Sequence, residues 1–108
     1  MRLNLFDCDF LYHAKGRFDY SKVGDGVSIA ILTQRNDNFE KYLKNLGIEV
    51  SICSRSEIPQ YLPAMLFYYL GVDSSIDEVV IYSGSPYVQP VINIAKKFVG
   101  VANARKSV

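Results

Sequence analysis

The chain has little cysteine and histidine: Cys8, Cys53 and His13 are the only such residues among its 108. The two cysteines are far apart in sequence and form no Cys-x-x-Cys pair. A structural zinc site needs four closely organised sulfur or nitrogen ligands, so the sequence does not indicate one. We expect two free thiols in a reducing compartment.

The sequence also lacks a strong charge and a long apolar run. Its formal net charge is +1, with 21% charged and 49% hydrophobic residues, which indicates neither disorder nor a strongly electrostatic partner preference. Any nucleic-acid binding must therefore come from a local patch. No apolar run reaches the roughly 18 residues that span a bilayer, and the first four residues lead into a strand rather than a signal peptide. These absences predict a cytoplasmic protein without a membrane partner.

Internal repeats, low-complexity stretches and linkers are absent as well. A length of 108 residues suits one layered core and is too short for two, so residues 1–108 are predicted to form a single domain. Because the sequence starts at Met1 and carries no tag-like extension, we expect a complete or nearly complete chain.

Apolar runs predict four strands, at residues 3–6, 27–32, 48–53 and 79–82. The run 27–32 is nearly continuous, as expected for a central strand covered on both faces. In 48–53 apolar and polar residues alternate, which favours a position nearer an edge of the sheet.

Between the strands the spacing predicts helices. The first is capped by Asn36 or Asp37 and ends at Gly47, with Glu40 and Lys44 paired on its exposed face. Its predicted buried face consists of Phe39, Tyr42, Leu43 and Leu46. Another helix starts with Ser85 as cap and Pro86 at its first position. Its predicted buried stripe consists of Val88, Val91, Ile92, Ala95 and Val99.

Residues 61–70 have the length of a helix but are apolar nearly all round. Two interpretations stay open for this segment. It is buried on two sides in an aromatic-rich core, or it forms a homodimer contact through Leu62, Leu66 and Tyr69.

Alternating strands and helices predict an α/β fold, a three-layer Rossmann-like arrangement with a parallel sheet of four to five strands. Such sheets bind ligands at the carboxyl ends of their strands. The candidate site residues expected at that edge are Asp7, Asp9, Thr33, Arg35, Ser54, Arg55, Ser83, Gly84 and Ser85. The two carboxylates, Asp7 and Asp9, could hold Mg²⁺, although such a site usually has one or two further acidic groups. The arginines, with the helix that opens at Ser85, suit phosphate recognition.

The chain resembles the NYN domains of the PIN-like ribonuclease superfamily over its whole length. Their first strand typically ends in Asp-Gly-x-Asn-Leu-Tyr-His, and residues 7–13 here read Asp-Cys-Asp-Phe-Leu-Tyr-His. Their fourth strand usually runs into Ser-Gly-Asp-Ser-Asp-Phe-x-Pro, and residues 83–90 read Ser-Gly-Ser-Pro-Tyr-Val-Gln-Pro. The resemblance implies a PIN-like fold and metal-dependent cleavage of RNA.

Of the four acidic positions that such nucleases use to hold metal, this sequence keeps one. The first corresponds to Asp7, the second falls near Gln60, and the last two fall on Ser85 and Tyr87. The resemblance therefore implies a degenerate domain that binds RNA or a protein partner, with weak or no nuclease activity, in which Asp9 could partly compensate.

A second resemblance is to the haloacid-dehalogenase-like phosphatases, which begin with Asp-x-Asp after the first strand. On that pattern Asp7 is the nucleophile and Asp9 the general acid, and Thr33 or Ser54 supplies the second motif. The lysine of the third motif and the acidic pair of the fourth are absent. We prefer the NYN interpretation because residues 11–13 fit it in register together with Ser83, Gly84 and Pro90. A non-catalytic module that dimerises through the 62–70 helix is the third hypothesis.

Overall fold

The computed structural model describes residues 1–7, 26–72, 75–83 and 88–107. Within these ranges five strands form one parallel sheet in the order β3-β2-β1-β4-β5. The strands are β1 (Arg2–Phe6), β2 (Gly26–Leu32), β3 (Glu49–Ile52), β4 (Glu78–Tyr82) and β5 (Ala104–Ser107). The helices are α1 (Asp37–Asn45), α2 (Ile58–Val72) and α3 (Val88–Val99), with short 3-10 turns at Arg55–Glu57 and Val101–Asn103. No helix in the described ranges is long and apolar enough to cross a membrane.

The two faces of the sheet carry separate apolar cores, because side chains alternate along each strand. On one face the strands pack against α2 and α3, through Leu3, Leu5, Ile29, Ile31, Val79, Ile81, Leu62, Leu66, Val91 and Ile92 among others. On the opposite face they pack against α1, through Phe6, Ala30, Leu32, Val80, Tyr82, Phe39 and Leu43. The predicted α/β fold with a parallel sheet between helical layers is confirmed.

The strand predictions need two corrections. The centre of the sheet is β1, and β2 lies between β1 and the edge strand β3. Strand β5 was not predicted, because Ala104 is its one buried residue and Arg105 and Lys106 are exposed. The prediction that β3 lies near an edge of the sheet is confirmed.

Helix α1 is capped by Asn36, whose Oδ1 accepts the Phe39 backbone N–H at 3.1 Å. Phe39 and Leu43 are buried as predicted, whereas Tyr42 is 47% exposed and Leu46 is exposed as well. Glu40 was predicted on the solvent face and is instead buried. Of the predicted apolar face, only Phe39 and Leu43 pack against the sheet. The buried face of α1 is therefore narrower than the apolar pattern indicated.

Helix α2 buries one side and exposes the other. Leu62 and Leu66 are fully buried in the core beneath the sheet, so the prediction that they contact a second copy is wrong. Tyr69 is half-buried, and dimerisation itself stays a prediction. The exposed apolar residues of α2 are Phe67, Tyr68 and Val72. Phe67 packs edge-to-face against Phe98 of α3, with ring centroids 5.5 Å apart.

Gly26, which opens β2 with a φ of 136°, allows the close approach of β1 and β2. A Cβ atom at this position would overlap the carbonyl oxygen of Arg2, its register partner. We expect Gly26→Ala to lower the free energy of unfolding by about 3 kcal/mol, since backbone strain and overlap add.

Gly71 is the matched control, because it lies in α2 with open space around a built Cβ atom. Gly71→Ala should raise the free energy of unfolding by about 0.5 to 1 kcal/mol. Urea unfolding of both variants measures the two changes, and a Gly26→Ala protein as stable as the parent would contradict the assigned backbone geometry.

Candidate functional site

The strand order reverses at β1, and the carboxyl ends of β1 and β4 meet there. Crevices at such points are where parallel α/β sheets bind ligands. Asp7 follows β1 and Ser83 follows β4, and both side chains are buried, Asp7 completely. The Ser83 hydroxyl donates a hydrogen bond to Asp7 Oδ2, and the Asp7 backbone N–H donates to the carbonyl of Tyr82 at 3.1 Å. The sequence prediction that these two residues share one edge is confirmed.

The residues just before this pair hold the two strand ends together. The rings of Phe6 and Tyr82 are register partners and stack at a centroid distance of 4.4 Å with an interplanar angle of 14°. Both rings are buried in the core beside α1. Stacked rings at a strand end limit its freedom to splay, so the Asp7 carboxylate and the Ser83 hydroxyl are held in contact.

Glu40 is a second buried carboxylate at this edge, and it was not among the predicted site residues. It lies in the first turn of α1, shortly after β2 ends. Its Oε2 accepts the backbone N–H of Asn36 at 3.1 Å, and its Oε1 accepts from Arg35 Nη1 at 3.3 Å. The available signal was an arginine five positions and a capping asparagine four positions before a glutamate, since anionic side chains are favoured at helix N-termini.

Arg35 therefore lies at the surface and forms an ion pair with Glu40. Its side chain is 74% exposed while that of Glu40 is 7% exposed, so the guanidinium lies at the rim of the edge and reaches inward to a buried carboxylate. Thr33, two residues before Arg35, is half-buried.

The loop after β3 reaches the same edge, because the Cys53 backbone N–H donates to the carbonyl of Leu32 at 3.0 Å. Ser54 and Arg55 are exposed there, and the Ser54 and Ser56 hydroxyls lie 3.3 Å apart. Burial, with a smaller contribution from the Glu57 carboxylate, raises the pKa of the Cys53 thiol. Cys53 is a free thiol, as expected, and a thiol held in its protonated form is a poor nucleophile.

Several residues named from the sequence lie outside the described ranges: Cys8, Asp9, His13, Gly84, Ser85, Pro86 and Tyr87. Gln60, near the position of the second acidic residue of the NYN pattern, is exposed on α2. The predicted Mg²⁺ site needs Asp9 beside Asp7, so it stays a prediction. Within residues 1–7, 26–72, 75–83 and 88–107, no three His, Cys, Asp or Glu side chains are grouped to hold a metal ion.

Comparisons of the chain with protein-family models, with curated proteins and with solved structures gave no match.

The Asp7 and Ser83 contact should contribute measurably to stability. Ser83→Ala removes a hydrogen bond to a buried carboxylate, and we expect the free energy of unfolding at neutral pH to fall by about 2 kcal/mol. Ser56→Ala, at an exposed serine, is the matched control and should change it by less than about 0.5 kcal/mol. Denaturant unfolding compares the two, and equal stabilities would show that the Ser83 hydroxyl does not support Asp7.

The Glu40 carboxylate should stabilise the N-terminus of α1. Glu40→Ala removes an acceptor for the Asn36 N–H and a favourable charge at the helix N-terminus. The expected loss is about 1 to 2 kcal/mol in the free energy of unfolding. Lys41→Ala changes an exposed neighbour on the same helix, and its effect should stay within about 0.5 kcal/mol. A loss in Lys41→Ala equal to that in Glu40→Ala would contradict this role.

Proposed function

We propose that this chain is a degenerate NYN or PIN-like domain that binds single-stranded RNA at the carboxyl edge of its sheet, with weak or no nuclease activity. The observation that supports it best is how the carboxylates at that edge are used. Asp7 is fully buried and accepts from Ser83, and Glu40 is bound to Arg35 and to a helix N-terminus.

Metal-dependent phosphodiester cleavage relies on carboxylates that hold a metal ion beside the reacting phosphate. A buried carboxylate oxygen that already accepts a hydrogen bond from a hydroxyl would have to give up that hydrogen bond to bind a metal. The arrangement around Asp7 therefore favours a structural role over metal binding. It disfavours the phosphatase hypothesis in the same way, because a nucleophilic Asp7 needs an open approach for the phosphate.

The rim of the edge offers the groups that bind a phosphate backbone. Arg35 and Arg55 are exposed on two neighbouring segments, after β2 and after β3, with Gln34 and Ser54 exposed next to them. A planar guanidinium suits phosphate oxygens, and two of them on one rim form the local patch that a chain of net charge +1 requires. RNA binding agrees with the cytoplasmic location and reduced thiols predicted from the sequence.

The test is fluorescence anisotropy of a labelled oligouridine with two matched double variants. Arg35→Gln with Arg55→Gln removes two positive charges from the rim. Lys44→Gln with Lys97→Gln removes two from the last turns of α1 and α3, at the opposite edge of the sheet. If the arginines contact phosphates, only the first pair should weaken binding several-fold and lower the slope of log K against log salt by about 1.4.

Equal losses in the two double variants would contradict an RNA site at this edge. Cleavage of the oligonucleotide with Mg²⁺ or Mn²⁺, abolished by Asp7→Asn, would show an active nuclease instead. Turnover of p-nitrophenyl phosphate that depends on Asp7 would favour the phosphatase hypothesis.

A further inference from the structure

A second concave site lies on the flank of the sheet, between the edge strand β3 and helix α2. It is a cavity of about 290 Å³, close to the smallest volumes usual for ligand pockets. Three tyrosines line it, Tyr61, Tyr68 and Tyr69, together with Met65 and the Glu49 carboxylate. It is separate from the Asp7 and Ser83 crevice, because β2 lies between β3 and β1.

The wall of this cavity is fixed by a contact between the strand and the helix. The Tyr69 hydroxyl donates to Glu49 Oε2 at 2.6 Å, and the Tyr68 and Tyr69 rings meet nearly at right angles, 87°, with centroids 5.1 Å apart. Burial, and then the bond to Glu49, raises the pKa of Tyr69, so the phenol stays neutral and keeps donating. The carboxylate is thus held beside two perpendicular rings.

The charge of the site favours a cation. Glu49 has no ion-pair partner in the described part of the chain, and its hydrogen bond to a neutral phenol leaves the carboxylate charge in place. The faces of tyrosine rings carry partial negative charge, and they attract cations that have little hydration to lose. An anion would be repelled by Glu49, and a neutral apolar group would make no use of it.

We propose that the cavity between β3 and α2 binds a compact organic cation of the quaternary or methylated ammonium type. Tyr61, Tyr68 and Tyr69 supply ring surface, and Glu49 supplies the countercharge. The inference does not depend on the proposed RNA binding, since the two sites share no residue.

Choline chloride titrated into the full chain tests the proposal, with binding followed by calorimetry and by chemical shifts of Met65 and the tyrosines. The neutral isostere 3,3-dimethylbutan-1-ol is the control ligand, because it has the same shape without the charge. Choline should bind with a Kd on the order of 1 mM, and the isostere at least about threefold more weakly. N-acetyl-trimethyllysine amide tests the other source of the same group, and tighter binding than choline would indicate a methylated protein side chain as the natural ligand.

Four variants locate the site. Tyr68 is 63% exposed, so Tyr68→Leu removes a ring without disturbing the core, and it should weaken choline binding about threefold. Tyr68→Phe keeps the ring and should keep the affinity, and Glu49→Gln should weaken it at least as much as Tyr68→Leu. Tyr42→Leu is the matched control, at an exposed tyrosine on α1 across the sheet. Equal affinity for choline and its isostere, unchanged binding in Tyr68→Leu, or the absence of binding would each overturn the proposal.

Discussion

Strand β1 hydrogen-bonds to β2 along one edge and to β4 along the other, and the rest of the structure depends on that double pairing. From Leu3 to Asp7 every side chain of this segment is buried. The chain builds outward from β1 to β2 and β3 and then returns to place β4 on the other side. Where the strand order of a parallel sheet reverses, the connections after two neighbouring strands run to opposite sides and open a crevice at the carboxyl ends of those strands. Here the two strands are β1 and β4. Asp7 and Ser83 meet there because of this topology.

A carboxylate buried at such a position has to be compensated, because its charge is costly away from water. Ser83 supplies a hydroxyl to Asp7, and at the neighbouring strand end Asn36 and Arg35 supply donors to Glu40. These hydrogen bonds occupy Oδ2 of Asp7 and both carboxylate oxygens of Glu40. These hydrogen bonds therefore stabilise the carboxyl edge of the sheet. The exposed positions at this rim include Arg35 and Arg55, together with the acidic residues Asp37 and Glu57.

Sequence patterns predicted the parts of the fold that are covered on both sides. Strands such as β2 carry continuous apolar runs, and their order along the chain is enough to predict that Asp7 and Ser83 share an edge. Strand β5 escaped prediction because it is held by backbone pairing with β4 and buries only Ala104. Helical periodicity also does not show how wide a strip of α1 the sheet covers. The exposure of Tyr42 and the burial of Glu40 could therefore not be predicted from it. The contact of Glu49 with Tyr69 joins positions 20 residues apart on different elements, and no local pattern encodes it.

Polar pairs between neighbouring strands help to fix the register that brings Asp7 and Ser83 together. Arg2 and Glu78 are register partners of β1 and β4, and they form an ion pair at 2.7 Å. Asn4 and Ser28 are register partners of β1 and β2, and the Asn4 amide lies 3.3 Å from the Ser28 hydroxyl. A slip of one residue in either pairing would separate both partners and turn alternate apolar side chains to the wrong face. Asn4 is fully buried, so separating its amide from the Ser28 hydroxyl would leave a polar group unpaired in the sheet and penalise the slipped register. Counted from Arg2 and Glu78, the register places Phe6 beside Tyr82 and then Asp7 beside Ser83. The amino end of the sheet thus determines which side chains meet at its carboxyl end.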